Sequence, residues 1–155
     1  MIVMKFGGTS IQDVAAINRV AEIVSGRMDR APVVVVSAMA RVTEALLHVA
    51  QVAKERRVDA ALVSINELRE RHLTTARALL APSHESALKA VERDVQNQFS
   101  ELDNLVRSVA TLGELTARSQ DAIVSFGERL SFAGRSSRSR EPMRRPSSSC
   151  RPSPR

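Results

Sequence analysis

The sequence predicts an α/β fold, and three observations carry that prediction. The chain opens with a short apolar run that is closed by Gly7-Gly8 and followed by apolar residues at helical spacing. A second run, residues 33–36, consists of β-branched residues without polar alternation, which is typical of a parallel strand covered on both faces. Longer segments at helical spacing fill most of the chain up to about residue 130. These features together indicate a parallel sheet that packs against helices.

The first unit is predicted to be a strand, a glycine turn and a helix. Residues 2–6 are apolar apart from Lys5, and Ser10 is a suitable N-cap with Asp13 three residues later. Glycines at such a junction let the backbone approach a ligand closely, and the first N–H groups of the helix face the same place. This unit is therefore the first candidate for a binding site.

The remaining segments up to residue 130 are predicted to be helices. Thr43 can cap the helix that follows the second strand. Apolar stripes over residues 65–79 and 88–109 predict a helical hairpin. A last stripe over residues 123–130 predicts a helix that Ser119 can cap.

The composition changes abruptly at Ser131. The net charge of +6 is carried entirely by residues 131–155, which hold seven arginines against the single acid Glu141. Eight serines and four prolines lie in the same segment, so we expect residues 132–155 to form a disordered basic Arg/Ser/Pro tail. Its origin is either a natural tail or an out-of-frame end of a longer gene product. The second is favoured because Leu130 lies inside a helical pattern.

Several classes of protein are excluded or disfavoured by the composition. The 155 residues suit one domain, and no apolar run is long enough to span a bilayer or to act as a signal peptide, which predicts a cytoplasmic protein without a membrane partner. The single cysteine, Cys150, excludes an intramolecular disulfide, and no residues show metal-ligand spacing. A nucleic-acid-binding protein with a basic tail is a weak alternative, because the chain has no Tyr or Trp to stack on bases.

The strongest candidate site is the segment over residues 5–10, KFGGTS. Lys5 adds a cation beside the backbone donors of the glycine turn, and Thr9 and Ser10 offer hydroxyl groups. The spacing matches neither of the common glycine-rich nucleotide fingerprints. The residues by themselves thus leave two interpretations open, a phosphate site and an ordinary tight turn with a solvated lysine.

Three segments, in the same order along the chain, resemble aspartate kinases, which are members of the amino-acid kinase family. They are residues 5–10 (KFGGTS), residues 34–39 (VVVSAM) followed by Val42-Thr43, and residues 125–131 (SFGERLS). The resemblance covers residues 1–131 as the N-terminal part of an amino-acid kinase domain. It implies a three-layer sandwich with a mainly parallel sheet, incomplete here and carrying a helical insertion between Thr43 and Ser119.

The resemblance also implies a reaction, namely transfer of the γ-phosphoryl group of ATP, with Mg²⁺, to the side-chain carboxylate of L-aspartate. The product would be 4-phospho-L-aspartate, the first step of lysine, threonine and methionine biosynthesis. The implied catalytic residue is Lys5. The residues implied to bind ATP phosphates are Lys5, Gly7, Gly8, Thr9 and Ser10, and those implied to bind aspartate are Ser37, Thr43 and Glu128. We expect them to converge on one cleft, since Lys5 and Ser37 both end predicted parallel strands.

Simpler interpretations of these residues stay open. Thr43 can serve only as a helix cap, Ser37 only as a turn residue, and Glu128 only as an exposed charge. Aspartate kinases continue with further strands, a nucleotide-base pocket and regulatory domains, none of which is recognisable after residue 131. We therefore expect an inactive fragment, whose parent is monofunctional or fused to homoserine dehydrogenase. Full-length members of the family are homo-oligomers.

Overall fold

The computed structural model describes residues 1–80 and 84–133. Within these ranges the elements are β1 (Ile2–Phe6), α1 (Val14–Ser25), β2 (Pro32–Val36), α2 (Val42–Lys54), α3 (Val58–Leu80), α4 (Glu85–Leu112) and α5 (Ala117–Ala133). Short 3-10 turns occupy Gly8–Ile11 and Met28–Arg30. The predicted α/β class is confirmed, as a mostly helical unit with a small parallel sheet.

The sheet consists of β1 and β2, which pair in parallel with Lys5 opposite Val35. Parallel neighbours need a crossover, which α1 provides. One face of the sheet is half-buried, whereas the other exposes Val3 (69%), Val33 (47%) and Val35 (41%). The expectation that β2 is covered on both faces is therefore wrong over the described residues. The valines of β2 place apolar side chains on both faces of the sheet, but the described helices pack against only one face.

The core lies among the helices rather than on the sheet. Its largest fully buried side chains include Phe99, Leu46, Ile65, Leu102 and Ile123, which come from α2, α3, α4 and α5. The predicted hairpin is confirmed, because α3 and α4 pack along each other. Burial of these apolar groups is the main stabilising contribution to the helical layer.

Two polar groups from α3 meet Phe99 of α4 in this hairpin. The ring of His72 meets the Phe99 ring edge-on at 5.6 Å, and the Arg69 guanidinium lies 5.5 Å from the centre of the same ring. Arg69 also pairs with Asp103 at 2.9 Å. These charged and aromatic groups therefore add specific contacts to the apolar packing of α3 against α4.

The helix α1 is capped by Asp13 and not by the predicted cap Ser10. The Asp13 side chain accepts a hydrogen bond from the Ala16 N–H at 2.8 Å, while Ser10 lies in the 3-10 turn Gly8–Ile11. The extra turn delays the helix, and the next residue able to cap it is Asp13. The bonds from the Ala16 N–H and then from Gln12 lower the pKa of the Asp13 carboxyl.

The helices α2 and α5, in contrast to α1, begin before their predicted caps. Arg41, in the left-handed region at φ 68°, precedes α2, so Thr43 lies inside the first turn of that helix. At α5 the cap is Thr116, whose hydroxyl accepts the Ser119 N–H at 3.1 Å. Ser119 is thus in the first turn of α5, because the Thr116 hydroxyl already caps the helix three residues earlier.

The predicted C-terminal boundary of the kinase-like part falls inside α5. This helix continues to Ala133, past the predicted domain boundary at residue 131. Of the predicted basic tail over residues 132–155, the part from residue 134 onward lies outside the described residues. Across the described part of the chain, no helix is long and apolar enough to cross a membrane.

Candidate active site

The glycine loop, residues 7–12, follows β1 and contains two glycines with different surroundings. A Cβ built on Gly8 would lie 2.9 Å from the backbone oxygen of Ala38 and 3.3 Å from the backbone nitrogen of Ala40. A Cβ built on Gly7 would meet nothing within 4 Å. Gly8 is therefore required by packing inside the protein, whereas Gly7 leaves open space where a ligand can approach the backbone.

The alanine loop, residues 37–41, follows β2 and lies directly beside the glycine loop. The Ser37 N–H donates to the Phe6 carbonyl at 3.1 Å, which extends the strand pairing by one residue. Ala38 and Met39 are buried at this junction. Ser37 consequently lies at the carboxyl edge of the sheet, next to the start of the glycine loop, where ligands bind in open α/β sheets.

Helix α5 brings the third segment to the same place. A Cβ on Gly127 would lie 3.0 Å from the Ala38 Cβ and 3.6 Å from side-chain atoms of Leu46 and Val42. Ala38 is thus enclosed between Gly8 on one side and Gly127 on the other. The three predicted site segments, which are far apart in the sequence, meet at this one residue.

The charged side chains near this junction are exposed. Lys5 and Glu128 are both exposed, and neither forms an ion pair within the described residues. Arg129, the neighbour of Glu128, pairs instead with Glu101 at 2.6 Å and lies over the Phe126 ring at 4.4 Å. Glu128 is therefore not neutralised by the adjacent arginine, and its carboxylate remains accessible.

Thr43 lies half-buried in the first turn of α2 and makes no side-chain hydrogen bond in the described part of the chain. Thr43 comes just after the alanine loop, at the N-terminal end of α2, where the helix dipole is positive. Thr9 is exposed and Ser10 is half-buried in the 3-10 turn, where the Ser10 N–H donates to the Gly7 carbonyl at 3.0 Å. The backbones of the segments are brought together, while no ion pair joins Lys5 to Glu128.

Sequence reasoning missed two residues at this junction. Ala38 occurs in one of the matched segments, but nothing in the sequence marks it as the point where three segments meet. Arg71, on α3, donates to the backbone carbonyls of both Gln12 and Ala40. No local pattern distinguishes Arg71 from the other arginines of that helix.

Comparison with known proteins identifies the class to which this arrangement belongs. The family model described as "Amino acid kinase family" matches residues 1–133, and the chain belongs to that family. Within it, the chain is similar to the N-terminal part of aspartokinases. It is 34% identical over 135 residues to aspartokinase 3, chloroplastic, of Arabidopsis thaliana, with 83% of this chain and 22% of the relative covered.

Bifunctional relatives match as well. The chain is 32% identical over 127 residues to bifunctional aspartokinase/homoserine dehydrogenase 1, chloroplastic, of Zea mays, with 81% of this chain and 13% of the relative covered. The chain spans about a fifth of the length of the monofunctional relatives and less of the bifunctional ones. The chain is therefore similar to relatives of both types.

Solved structures support the same fold. E. coli aspartokinase III in complex with lysine and aspartate has a TM-score of 0.68 at 24% identity, covering 86% of this chain and 27% of that one. The same enzyme in complex with aspartate and ADP has a TM-score of 0.59 at 26% identity, with equal coverage. The prediction of an incomplete amino-acid kinase fold with a helical insertion is confirmed.

Proposed function

We propose that this chain carries the phosphate-binding and aspartate-binding loops of an aspartate kinase. The reaction would transfer the ATP γ-phosphoryl group to the side-chain carboxylate of L-aspartate and give 4-phospho-L-aspartate. The observation that carries the proposal is the meeting of the glycine loop, the alanine loop and α5 at Ala38. Both E. coli structures are complexes with aspartate, and one of them also holds ADP.

On the nucleotide side, Lys5 and the glycine loop supply positive charge and donors. The main tasks in phosphoryl transfer are to position the reactants and to offset the charge on the moving group. Lys5 has an exposed ammonium group without an ion-pair partner in the described residues, which suits it to a phosphate oxygen. The open space at Gly7 allows a phosphate to approach the backbone, and Thr9 and Ser10 add hydroxyl donors.

On the amino-acid side, the proposal assigns the ammonium group of aspartate to Glu128 and its polar contacts to Ser37 and Thr43. A carboxylate is the natural partner of an ammonium group, and the pair is strongest when no other cation competes. Arg129 is occupied by Glu101 and Phe126, which supports this role for Glu128.

Mg²⁺ enters the proposal as part of the nucleotide substrate. Across residues 1–80 and 84–133, no three His, Cys, Asp or Glu residues are grouped so that they could hold a metal ion. Mg²⁺ is usually held by substrate phosphates together with one or two carboxylates, rather than by a cage made only of protein groups. A cytoplasmic location stays a prediction, since the plant relatives are chloroplastic by name. That full-length members of the family form homo-oligomers also stays a prediction.

Calorimetric titration of the chain with MgADP and with L-aspartate tests the proposed binding roles. We expect Lys5→Ala to weaken MgADP binding, and the exposed Lys54→Ala to leave it unchanged. Likewise, Glu128→Gln should weaken binding of L-aspartate by about tenfold or more, since a charge-assisted contact contributes about 1.5–3 kcal/mol. Glu114→Gln is the matched control. Equal affinity of the Glu128→Gln variant and the wild type would contradict the assigned role.

Turnover is tested by trapping the acyl phosphate with hydroxylamine. We propose that the chain by itself does not turn over, because it spans only about a fifth of the length of its monofunctional relatives. Misplacement of a reacting group by about 1 Å already costs on the order of a hundredfold in rate. Aspartyl hydroxamate formed only with ATP, L-aspartate and an intact Lys5 would disprove the inactive-fragment proposal and support the kinase assignment.

A further inference from the structure

Arg71 connects the helical hairpin to both loops of the candidate site. Its Nη1 atom donates to the Ala40 carbonyl at 3.0 Å, and its Nη2 atom donates to the Gln12 carbonyl at 3.2 Å. Gln12 ends the glycine loop and Ala40 belongs to the alanine loop. One side chain from α3 therefore holds backbone atoms of two segments that lie 59 and 31 residues away in the sequence.

The two carbonyls lie where their loops change direction. Gln12 follows the 3-10 turn Gly8–Ile11, and Ala40 precedes Arg41, whose φ of 68° is in the left-handed region. Carbonyls at such positions lack the regular partners of a helix or strand and need a donor from elsewhere. A guanidinium is a planar fork that can donate to two acceptors at once, whereas an ammonium is a point charge without that fixed geometry.

Arg71 differs in this respect from Arg69 and Arg77, the other two arginines of α3. Arg69 pairs with Asp103 at 2.9 Å and Arg77 pairs with Glu92 at 2.7 Å, so both of these contacts stay within the hairpin. Arg71 forms no ion pair within the described ranges. Both hydrogen bonds from its side chain go to the two loops, and we call this pair of bonds the clamp.

From these contacts we infer that Arg71 is a positioning residue, which holds the glycine loop and the alanine loop in a fixed relation and couples ligand binding at one to the other. The inference rests on the proposed function for the assignment of the two ligands. The clamp adds to the direct contact between Gly8 and Ala38. It also gives the helical insertion a role at the site, although α3 supplies no predicted substrate contact.

Amide hydrogen exchange on the unliganded chain tests the clamp without any ligand. The reporters are the Ser10 N–H, bonded to Gly7 at 3.0 Å, and the Val42 N–H, bonded to Met39 at 3.1 Å. We expect Arg71→Ala to accelerate exchange at both reporters by about tenfold, the loss expected for hydrogen bonds from a charged donor. Arg77→Ala removes a contact of the same helix and should leave both rates within about twofold, since an exposed ion pair contributes little.

The conservative variant Arg71→Lys separates the effect of the planar guanidinium group from the effect of its positive charge. Arg71→Lys keeps the positive charge, so we expect at least one reporter to exchange as fast as in Arg71→Ala. Slow exchange at both reporters in either Arg71 variant would overturn the inference. Equal acceleration in Arg77→Ala would overturn it as well, because the effect would then be a general loosening of α3.

The coupling is measured as the ratio of MgADP affinities with and without saturating L-aspartate. We expect a ratio different from one in the wild type and in Arg77→Ala, and a ratio close to one in Arg71→Ala. An unchanged ratio in Arg71→Ala would refute the coupling. If the wild type bound neither ligand, the proposed function would fail, and the exchange rates would still decide whether Arg71 holds the two loops.

Discussion

Substitution of Gly8 by alanine tests the packing of the glycine loop against the alanine loop. The new Cβ would lie 2.9 Å from the Ala38 oxygen and 3.3 Å from the Ala40 nitrogen, closer than carbon is normally found to either atom. Both are backbone atoms, so neither can rotate away as a flexible side chain would. Overpacking of this kind costs about 1–3 kcal/mol, while the lower entropy of the unfolded chain returns about 0.4–1 kcal/mol. We expect a net loss of about 1–2 kcal/mol.

Gly7→Ala is the matched control in the same loop. Its φ of −78° suits any residue, and the added Cβ meets nothing within 4 Å, so stability should be unchanged or slightly raised. Urea denaturation measures both variants; with a slope of about 1–3 kcal/mol per M, their midpoints should differ by on the order of 1 M. Equal midpoints for the Gly8 variant and the wild type would refute the reasoning. A selective loss of MgADP binding in Gly7→Ala would support ligand approach at Gly7.

Three further predictions concern the helical layer. Burial lowers the pKa of His72 below its ordinary 6.5, so the unfolded chain takes up the proton first. Stability should therefore be full above about pH 6.5 and fall towards pH 5 by at most about 1.4 kcal/mol per pH unit, and urea titrations should show this slope vanish in His72→Leu. Phe99→Ala should cost about 3–5 kcal/mol and lower the thermal midpoint, since the ring is fully buried; a loss under 1 kcal/mol would contradict this. Gly127→Ala gains about 1 kcal/mol of helix propensity but meets the Ala38 Cβ at 3.0 Å, so urea denaturation should show a net loss.

Local features of the fold could be predicted because they depend on residues close together in the sequence. The strand, glycine turn and helix at the start of the chain follow from one short stretch, and the hairpin of α3 and α4 follows from apolar residues at helical spacing. Helix starts were predicted less well. Asp13 and Thr116 displaced Ser10 and Ser119 because neighbouring caps compete, and the geometry of the preceding turn decides between them.

The site was predictable as a set of segments but not as an arrangement. Lys5, the two glycines, Ser37 and the α5 motif could be named from their resemblance to a family, which says nothing about which atoms touch. Among the described residues, Glu128 has no ion-pair partner, because Arg129 pairs with Glu101 of α4, a residue in a different helix.

The sequence by itself determined the family, the order of the elements and the residues that carry charge and hydroxyl groups. Only the tertiary structure decided that Gly8, Ala38 and Gly127 meet, that Arg71 bonds to both loops, and that one face of the sheet stays open within the described residues. The physical reason is that periodicity reports which face of an element is apolar, not what packs on it. Contacts between segments dozens of residues apart depend on how all the elements fill space together.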